Sequence, residues 1–277
     1  MKQSKLAKNV SFIILSVVCL FWILPLIWAV FTSFKSQNEI ASSGFSFLPK
    51  AWTFENYATL MNNSEASPVF QWFMNSLIIS TAFMVLTVFI TAFAAYGFTR
   101  IQWPGRDFVF SVLLGSMMFP TVINLIPNFK IISSLGWANT FLAIIVPGLA
   151  SVYNVFLVRQ FMRSIPVELD ESAYIDGANE FQIFWHIIFP LIKPILLVVA
   201  LFSFTASWND FLWPSIVMTD VSRMPITPGL QLLQGQYQTF PGLSTAGAIL
   251  ALVPTFLLYL VAQKYFMQSM SLQSGMK

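Results

Sequence analysis

The sequence predicts an all-α membrane protein with six transmembrane helices, and three observations lead to this prediction. Apolar residues make up 57% of the 277 residues and charged residues only 9%, whereas soluble domains carry about 25% charged residues. The apolar residues are collected in long runs without charge, and about 20 apolar residues in a helix cross a bilayer core. The positively charged residues lie at the ends of these runs, as is typical of membrane topology rather than of a nucleic-acid patch.

The runs place the spans along a single transmembrane domain over residues 1–277. Val10–Phe34 is too long for the apolar region of a signal peptide, which has about 7–15 residues, so we expect an uncleaved first span at 10–34. A polar loop at 35–67, which we expect to be ordered, separates it from the second span. The other five spans are predicted at 72–98, 108–129, 140–158, 184–210 and 244–263.

Proline is frequent in these spans and predicts a bundle with bends. Proline inside a span removes a helix hydrogen bond, which neighbouring helices can compensate, and it occurs inside the third, fourth and sixth predicted spans. We expect Pro190 and Pro194 in the opening turns of the fifth span, where a missing donor costs least. Residues 211–243, rich in Pro, Gly and Gln, are expected to form a polar loop.

Lys and Arg predict the orientation. With the N-terminus inside the cell, ten of the 14 positive residues lie on the inner side and four on the outer side. The positive-inside rule therefore predicts that both termini are cytoplasmic. One cysteine, Cys19, and one histidine, His186, exclude a disulfide framework and a metal site of several Cys or His residues.

An acidic segment between the fourth and fifth spans is the most unusual part of the chain. Five of the 11 carboxylates fall between Glu168 and Glu180, on the predicted cytoplasmic side. Three of them would lie in the first turn of a helix, where the dipole favours them. We expect Gly177 to end this helix and Asn179 with Gln182 to form a capping box that starts a second one. A docking element is favoured over a solvated linker, because a linker needs no second cap.

The segment resembles the EAA loop of ABC importer permeases. That pattern runs Glu-Ala-Ala, three residues, Gly, then a hydrophobic stretch and two prolines. The matching residues are Glu171-Ser172-Ala173, Gly177-Ala178, Ile188, Pro190 and Pro194, with Ser172 as the one departure. Similarity to the carbohydrate-uptake branch, which includes the MalG-type permeases, extends to Leu48-Pro49, Trp52-Thr53, Glu55-Asn56-Tyr57 and Trp208-Asn209-Asp210-Phe211.

The resemblance implies a type I ABC importer permease fold in a bacterial cytoplasmic membrane, with a coupling loop at 164–183. The implied coupling residues are Glu168, Asp170, Glu171, Ala173, Asp176, Gly177 and Ala178. The implied partners are a cytoplasmic ATPase dimer, a second, non-identical permease, an external or periplasmic sugar-binding protein and membrane lipid, but no nucleic acid. The chain would have no catalytic residues and no cofactor, and ATP and Mg²⁺ would bind the ATPase. Consistently, the sequence contains no Gly-Lys-Ser or Gly-Lys-Thr of a P-loop.

Polar residues at or beyond mid-span are candidates for the substrate path. These are Tyr153, Asn154, Ser203, Thr205, Asn209 and Asp210. Hydrogen bonding between helices is an equally good explanation for those within the spans. We place Asp210 at the outer surface, as a gate or surface contact.

Two other classes of protein remain open. A stand-alone, ion-coupled secondary transporter often carries charges near mid-membrane and internal repeats; these spans are almost free of charge, and the halves show no evident repeat. A membrane scaffold without transport activity is the third class. The sequence does not name the sugar.

Overall fold

The described residues form helices and turns and contain no β-strand, which confirms the all-α prediction. In this computed structural model they are residues 5–42, 46–62, 68–233 and 240–274. The chain divides into two compact units, Met1–Gln71 with Gly229–Val253 and Trp72–Pro228 with Pro254–Lys277.

The first unit is built around helix α1, Lys5–Ser33, followed by the short helices α2, Gln37–Ser42, and α3, Glu55–Met61. The last carbonyls of a helix lack intrahelical partners. Here the Asn56 side-chain amide donates to the carbonyls of Ser33 and Lys35, both at 2.8 Å. The Phe34 ring also packs on those of Trp52, Phe54 and Tyr57. Residues 46–62 of the loop expected to be ordered are therefore tied to the end of α1.

Four helices in the described part of the chain are long and apolar enough to cross a membrane: Lys8–Ser33, Val69–Thr99, Glu180–Trp208 and Pro241–Val261. The second of these is helix α4, Val69–Thr99. Two further pairs of helices are bent, and the spans number six if each bent pair is one span. Each pair falls in the region where the sequence predicts the third or the fourth span.

Both bent spans break at proline, as expected. The first pair begins with helix α5, Arg106–Ser116. Its second part consists of a 3₁₀ turn, Thr121–Asn124, that continues into helix α6, Leu125–Ser134. The two parts meet at 93°. Helix α7, Phe141–Ile145, runs into a 3₁₀ turn, Val146–Gly148, and meets helix α8, Val152–Met162, at 46°. Pro120 lies in the first break and Pro147 in the second turn. Proline has no N–H and disfavours helical backbone at the preceding residue.

The fifth span corrects one prediction. Helix α9, Glu168–Ile175, precedes helix α10, Glu180–Ile183, a π turn, Phe184–Ile188, and helix α11, Phe189–Trp208. The last three form one continuous span, Glu180–Trp208, in which Pro190 lies in the first turn of α11, as predicted, and Pro194 lies inside the helix. The π turn comes directly before Pro190, where the hydrogen-bond ladder already shifts by one residue.

The predicted polar loop at 211–243 is largely folded in its described residues. It contains helix α12, Leu212–Val217, a 3₁₀ turn, Val221–Arg223, and helix α13, Ile226–Leu232, before helix α14, Pro241–Ser274. Val217, Met218 and Ile226 are buried. The loop prediction was wrong because Pro and Gly were given more weight than the apolar residues between them.

One residue joins this segment to the turn between α6 and α7. Asn139 has a positive φ of 60°, which Asn tolerates better than most residues. Its N–H donates to the carbonyl of Val217 at 3.0 Å, and its Oδ1 accepts from the N–H groups of Thr219 and Asp220 at 2.6 and 2.9 Å. The two loops are thereby fixed to each other.

Candidate functional site

The acidic segment has the local structure that its sequence predicts. Helix α9 begins at Glu168, and Gly177 follows it with φ +83°, a conformation that glycine adopts without steric cost. Asn179 and Gln182 form the capping box, with each side chain accepting from the other's backbone N–H at 2.9 Å. The predicted helix, glycine break and second helix are all confirmed.

Burial divides the proposed coupling residues into two groups. Asp170 and Ala173 are buried against the chain itself, at 6% and 9% exposure, and Ala178 is half-buried. Ala173 belongs to the core cluster that α4, α8 and α11 share. The remaining four face outward; they are Glu168, Glu171, Asp176 and Gly177. Of the seven, only these four are fully exposed.

Apolar side chains accompany the exposed acids. Ile175 at the end of α9 is 87% exposed, and Val167, Leu169 and Phe181 are exposed too. Such a mixed surface of apolar and acidic side chains is typical of a site that another protein covers.

An ion pair attaches α9 to the end of α4. Arg100 Nε lies 3.0 Å from Asp170 Oδ2, with 6% and 8% of the two side chains exposed. Arg100 Nη2 also donates to the carbonyl of Ile165 at 2.9 Å. Burial raises the pKa of Asp170, and the guanidinium of Arg100 counters part of that rise. Arg100 thus binds both the chain just before the acidic segment and the segment's first helix.

A second attachment uses the carboxylate of Glu180. It accepts hydrogen bonds from the hydroxyls of Tyr96, on α4 (at 2.5 Å), and of Tyr174, on α9. The hydrogen bond to Glu180 raises the pKa of Tyr174 to about 12. Sequence reasoning missed both Arg100 and Tyr96. Their spacing of four residues at the end of α4 places them on one helix face, but it does not show which residues they contact.

A cavity of about 850 Å³ lies between the two bent spans and the end of α11. Aromatic rings of Phe83, Phe119, Tyr153 and Trp213 line it. Its other hydrogen-bonding side chains are those of Ser116, Thr121, Asn124, Asn128, Ser151, Ser207 and Asp210. A pocket of this size with aromatic walls and a few polar groups is typical of small-molecule sites.

The bends create this cavity. Ser151 Oγ caps α8 by accepting from the N–H of Asn154 at 3.3 Å, which starts a new helix after the break. A Cβ on Gly148 would lie 2.8 Å from the ring of Phe83, so glycine permits the close approach of these two wall residues. Sequence reasoning missed Thr121, Asn124 and Asn128, although three polar residues beside prolines, at helical spacing, were a readable signal.

The structure separates the six substrate-path candidates. Tyr153 and Asp210 line the cavity, and the other four do not. Asn154 and Ser203 are buried, and the amide of Asn154 donates to Ser203 Oγ at 3.5 Å. This contact between α8 and α11 fits the alternative explanation, packing between helices.

The last two candidates lie where α11 ends. Thr205 is half-buried, and its carbonyl accepts from the side-chain amide of Asn209 at 3.0 Å. Asp210, predicted at the outer end of the fifth span, follows the last residue of the helix closely and is half-buried in the cavity wall. Its Oδ1 accepts from the N–H of Trp213 at 3.4 Å, and Trp213 Nε1 donates to the carbonyl of Ala143, on α7, at 2.8 Å. The chain therefore turns back into the protein after α11.

The family model for the binding-protein-dependent transport system inner membrane component matches residues 87–272. The chain belongs to this family. Among curated proteins, this permease is 35% identical over 249 residues to the probable ABC transporter permease protein YurM of Bacillus subtilis, covering 89% of this chain and 81% of YurM. It is 32% identical to the arabinooligosaccharides transport system permease protein AraQ of the same organism, covering 96% and 94% of the two chains.

Another relative and one solved structure are also similar to this permease. The permease is 32% identical to the diacetylchitobiose uptake system permease protein NgcG of Streptomyces coelicolor, covering 90% of this chain and 82% of NgcG. These relatives confirm the resemblance to the carbohydrate-uptake branch. A crystal structure of a bacterial ABC transporter that imports the acidic polysaccharide alginate matches with a TM-score of 0.86 at 21% identity, covering 96% and 99% of the chains. This match confirms the type I ABC importer permease fold.

Proposed function

We propose that this chain is the permease subunit of an ABC importer that moves a sugar or oligosaccharide into the bacterial cytoplasm. The anchored but exposed α9 is the observation that supports this most directly. Its apolar and acidic outer surface suits a partner protein, while its inner face is bound to the spans. The relatives named for arabinooligosaccharides and diacetylchitobiose support the substrate class.

In this proposal, α9 is the coupling helix and occupies a groove on a cytoplasmic ATPase subunit. ATP-driven closure of the ATPase dimer pushes α9. The Arg100–Asp170 pair and the Glu180 hydrogen bonds carry that displacement into α4 and the fifth span. Arg159 fastens the same region, because its Nε donates to the carbonyl of Phe98 at 3.1 Å and its Nη2 lies 3.2 Å from Asp107.

The other subunits follow from the same proposal. ATP and Mg²⁺ bind the ATPase, and the permease has no catalytic role of its own. A second, non-identical permease completes the membrane pathway, and an external or periplasmic binding protein delivers the sugar. Both termini and α9 lie on the cytoplasmic side, as the distribution of Lys and Arg predicts.

The test is to purify the tagged chain from its native membranes in mild detergent and to identify the proteins that co-purify. ATP hydrolysis is then measured with and without candidate binding proteins loaded with sugars. A co-purifying P-loop ATPase and a second permease, with hydrolysis stimulated by a loaded binding protein, are the expected result. A lone chain that moves a solute down an ion gradient in vesicles would overturn the proposal in favour of a secondary transporter.

A further inference from the structure

We propose that Asp210 makes the cavity select neutral sugars and reject sugar acids. The proposal rests on the proposed function, since it places the cavity on the path of the sugar. Among the described residues that line the cavity, Asp210 is the one charged side chain. The ion pairs found among the described residues do not include it. The cavity wall therefore has a negative charge that no ion pair neutralises in the part of the chain that the structure describes.

The hydrogen-bonding capacity of Asp210 suits a hydroxyl-rich ligand. An ionised carboxylate accepts up to about four hydrogen bonds, and Asp210 accepts from the backbone N–H groups of Leu212 and Trp213, the latter at 3.4 Å. The remaining acceptor positions are free for sugar hydroxyls. Asn124 and Asn128 offer amides, and the rings of Tyr153 and Trp213 offer faces for the apolar side of a pyranose.

A uronic acid would bring a second carboxylate into the same cavity. Two negative charges repel each other strongly when burial reduces the screening by water, and the described lining offers no Lys or Arg to offset the repulsion. A neutral sugar of the same shape meets no such penalty. Asp210 is therefore a specificity-determining residue that acts through charge.

The fold itself does not decide this selectivity. The solved importer of the acidic polysaccharide alginate has the same fold at 21% identity. Preference for neutral or acidic sugars must then come from side chains that line the path. In this chain the lining has one carboxylate and, among its described residues, no cation.

The experiment measures binding to the cavity without the binding protein, which has its own selectivity. The assembled transporter is placed in nanodiscs and probed by saturation-transfer NMR with galactobiose, cellobiose and lactose, and with digalacturonate, the acidic counterpart of galactobiose. We expect at least one neutral disaccharide to bind, and digalacturonate to bind at least about tenfold more weakly, a difference of ~1.4 kcal/mol. Asp210→Asn keeps the acceptor for the N–H of Trp213 and should reduce this ratio to about twofold or less.

Asp220→Asn is the matched control. Asp220 belongs to the same segment, and 42% of its side chain is exposed. Its carboxylate accepts from the hydroxyl of Ser222 and forms an ion pair with Arg223, and it does not line the cavity. The ratio should therefore not change. The thermal unfolding midpoint of each variant shows whether its fold is intact. The inference is overturned if digalacturonate binds the wild type as well as galactobiose does, if no neutral probe binds, or if folded Asp210→Asn leaves the ratio unchanged. Hydrolysis stimulated by a sugar-loaded binding protein would still support the importer function in each of these cases.

Discussion

Breaking the Arg100–Asp170 pair should separate ATP hydrolysis from transport. The two side chains are more than nine-tenths buried and their charged atoms are 3.0 Å apart. Asp170→Leu leaves the guanidinium of Arg100 with the carbonyl of Ile165 as its remaining hydrogen-bond partner. Arg100→Met leaves the carboxylate of Asp170 buried without a cation.

The expected magnitude follows from this burial. Removing one partner of a buried ion pair costs about 3–5 kcal/mol, because the other charge is left uncompensated. Since ~1.4 kcal/mol is a factor of ten in an equilibrium constant, α9 should detach from the end of α4 at least about a hundredfold more often. Replacing both residues removes both charges, and such double replacements are often nearly neutral.

The assay is a double-mutant cycle on the reconstituted transporter, with uptake and ATP hydrolysis measured in the same proteoliposomes. Each single variant should still hydrolyse ATP but take up about tenfold less sugar per ATP. The free-energy cost of removing one partner of the buried pair exceeds the ~1.4 kcal/mol that corresponds to a factor of ten. The combined Arg100→Met and Asp170→Leu variant should recover most of that loss. Arg223→Met is the control, because its ion pair with Asp220 is exposed and such pairs contribute about 0–1 kcal/mol.

Two results would refute this reasoning. Single variants with wild-type uptake per ATP would show that the pair does not transmit movement of α9. Losses that simply add in the double variant would show that Arg100 and Asp170 act independently, despite their contact.

Three further substitutions test the same region. Gly177→Ala should lower the stability of the complex by about 1–2 kcal/mol through backbone strain alone, because a Cβ there meets nothing within 4 Å. Gly97→Ala, inside α4 with equally open surroundings and no positive φ, should instead stabilise by about 0.5–1 kcal/mol, and equal thermal unfolding of the two variants would contradict the argument. Glu180→Gln replaces one of the two carboxylate oxygens that accept from Tyr96 and Tyr174, so one hydroxyl loses its acceptor. The free energy of unfolding should fall by about 1–3 kcal/mol, as measured by thermal unfolding. Tyr174→Phe, at the exposed tyrosine, should lower it by less. Ile175→Asp should preserve the fold, since the side chain is 87% exposed, yet reduce co-purification of the ATPase; undiminished recovery would exclude Ile175 from the docking surface.

The acidic segment was readable from sequence because its structure is local. The break at Gly177 needs one positive φ, and the capping box joins Asn179 to Gln182, three residues away. Interactions this short depend little on the rest of the fold. The same holds for the apolar runs, whose length alone indicates spans.

The attachments of that segment could not be predicted, because they join residues far apart in the chain. Arg100 and Asp170 are 70 positions apart, and from the sequence Arg100 contributed only to the count of positive charges. Tyr96 and Glu180 are 84 positions apart. Which pairs meet depends on how the helices pack, and no periodicity in one helix contains that information.

The cavity could not be predicted from the sequence, because its shape depends on the angles between helices. Counting residues along a straight fifth span puts Asp210 at the membrane surface. That count does not reveal the cavity that Asp210 lines just after the helix ends at Trp208. Proline at position 120 predicts a break, but not its angle of 93°, and that angle shapes the wall.

The hydrogen bonds of Asn139 have a consequence for the entropy of ligand binding. They fasten the turn before α7 to Thr219 and Asp220, about 80 residues further along the chain, and Trp213 links α12 to α7 on the cavity side. These loops have therefore lost their conformational freedom during folding, before any sugar arrives. Ordering a loop at the moment of binding weakens affinity, and this wall is preorganised, so the ligand does not have to order it.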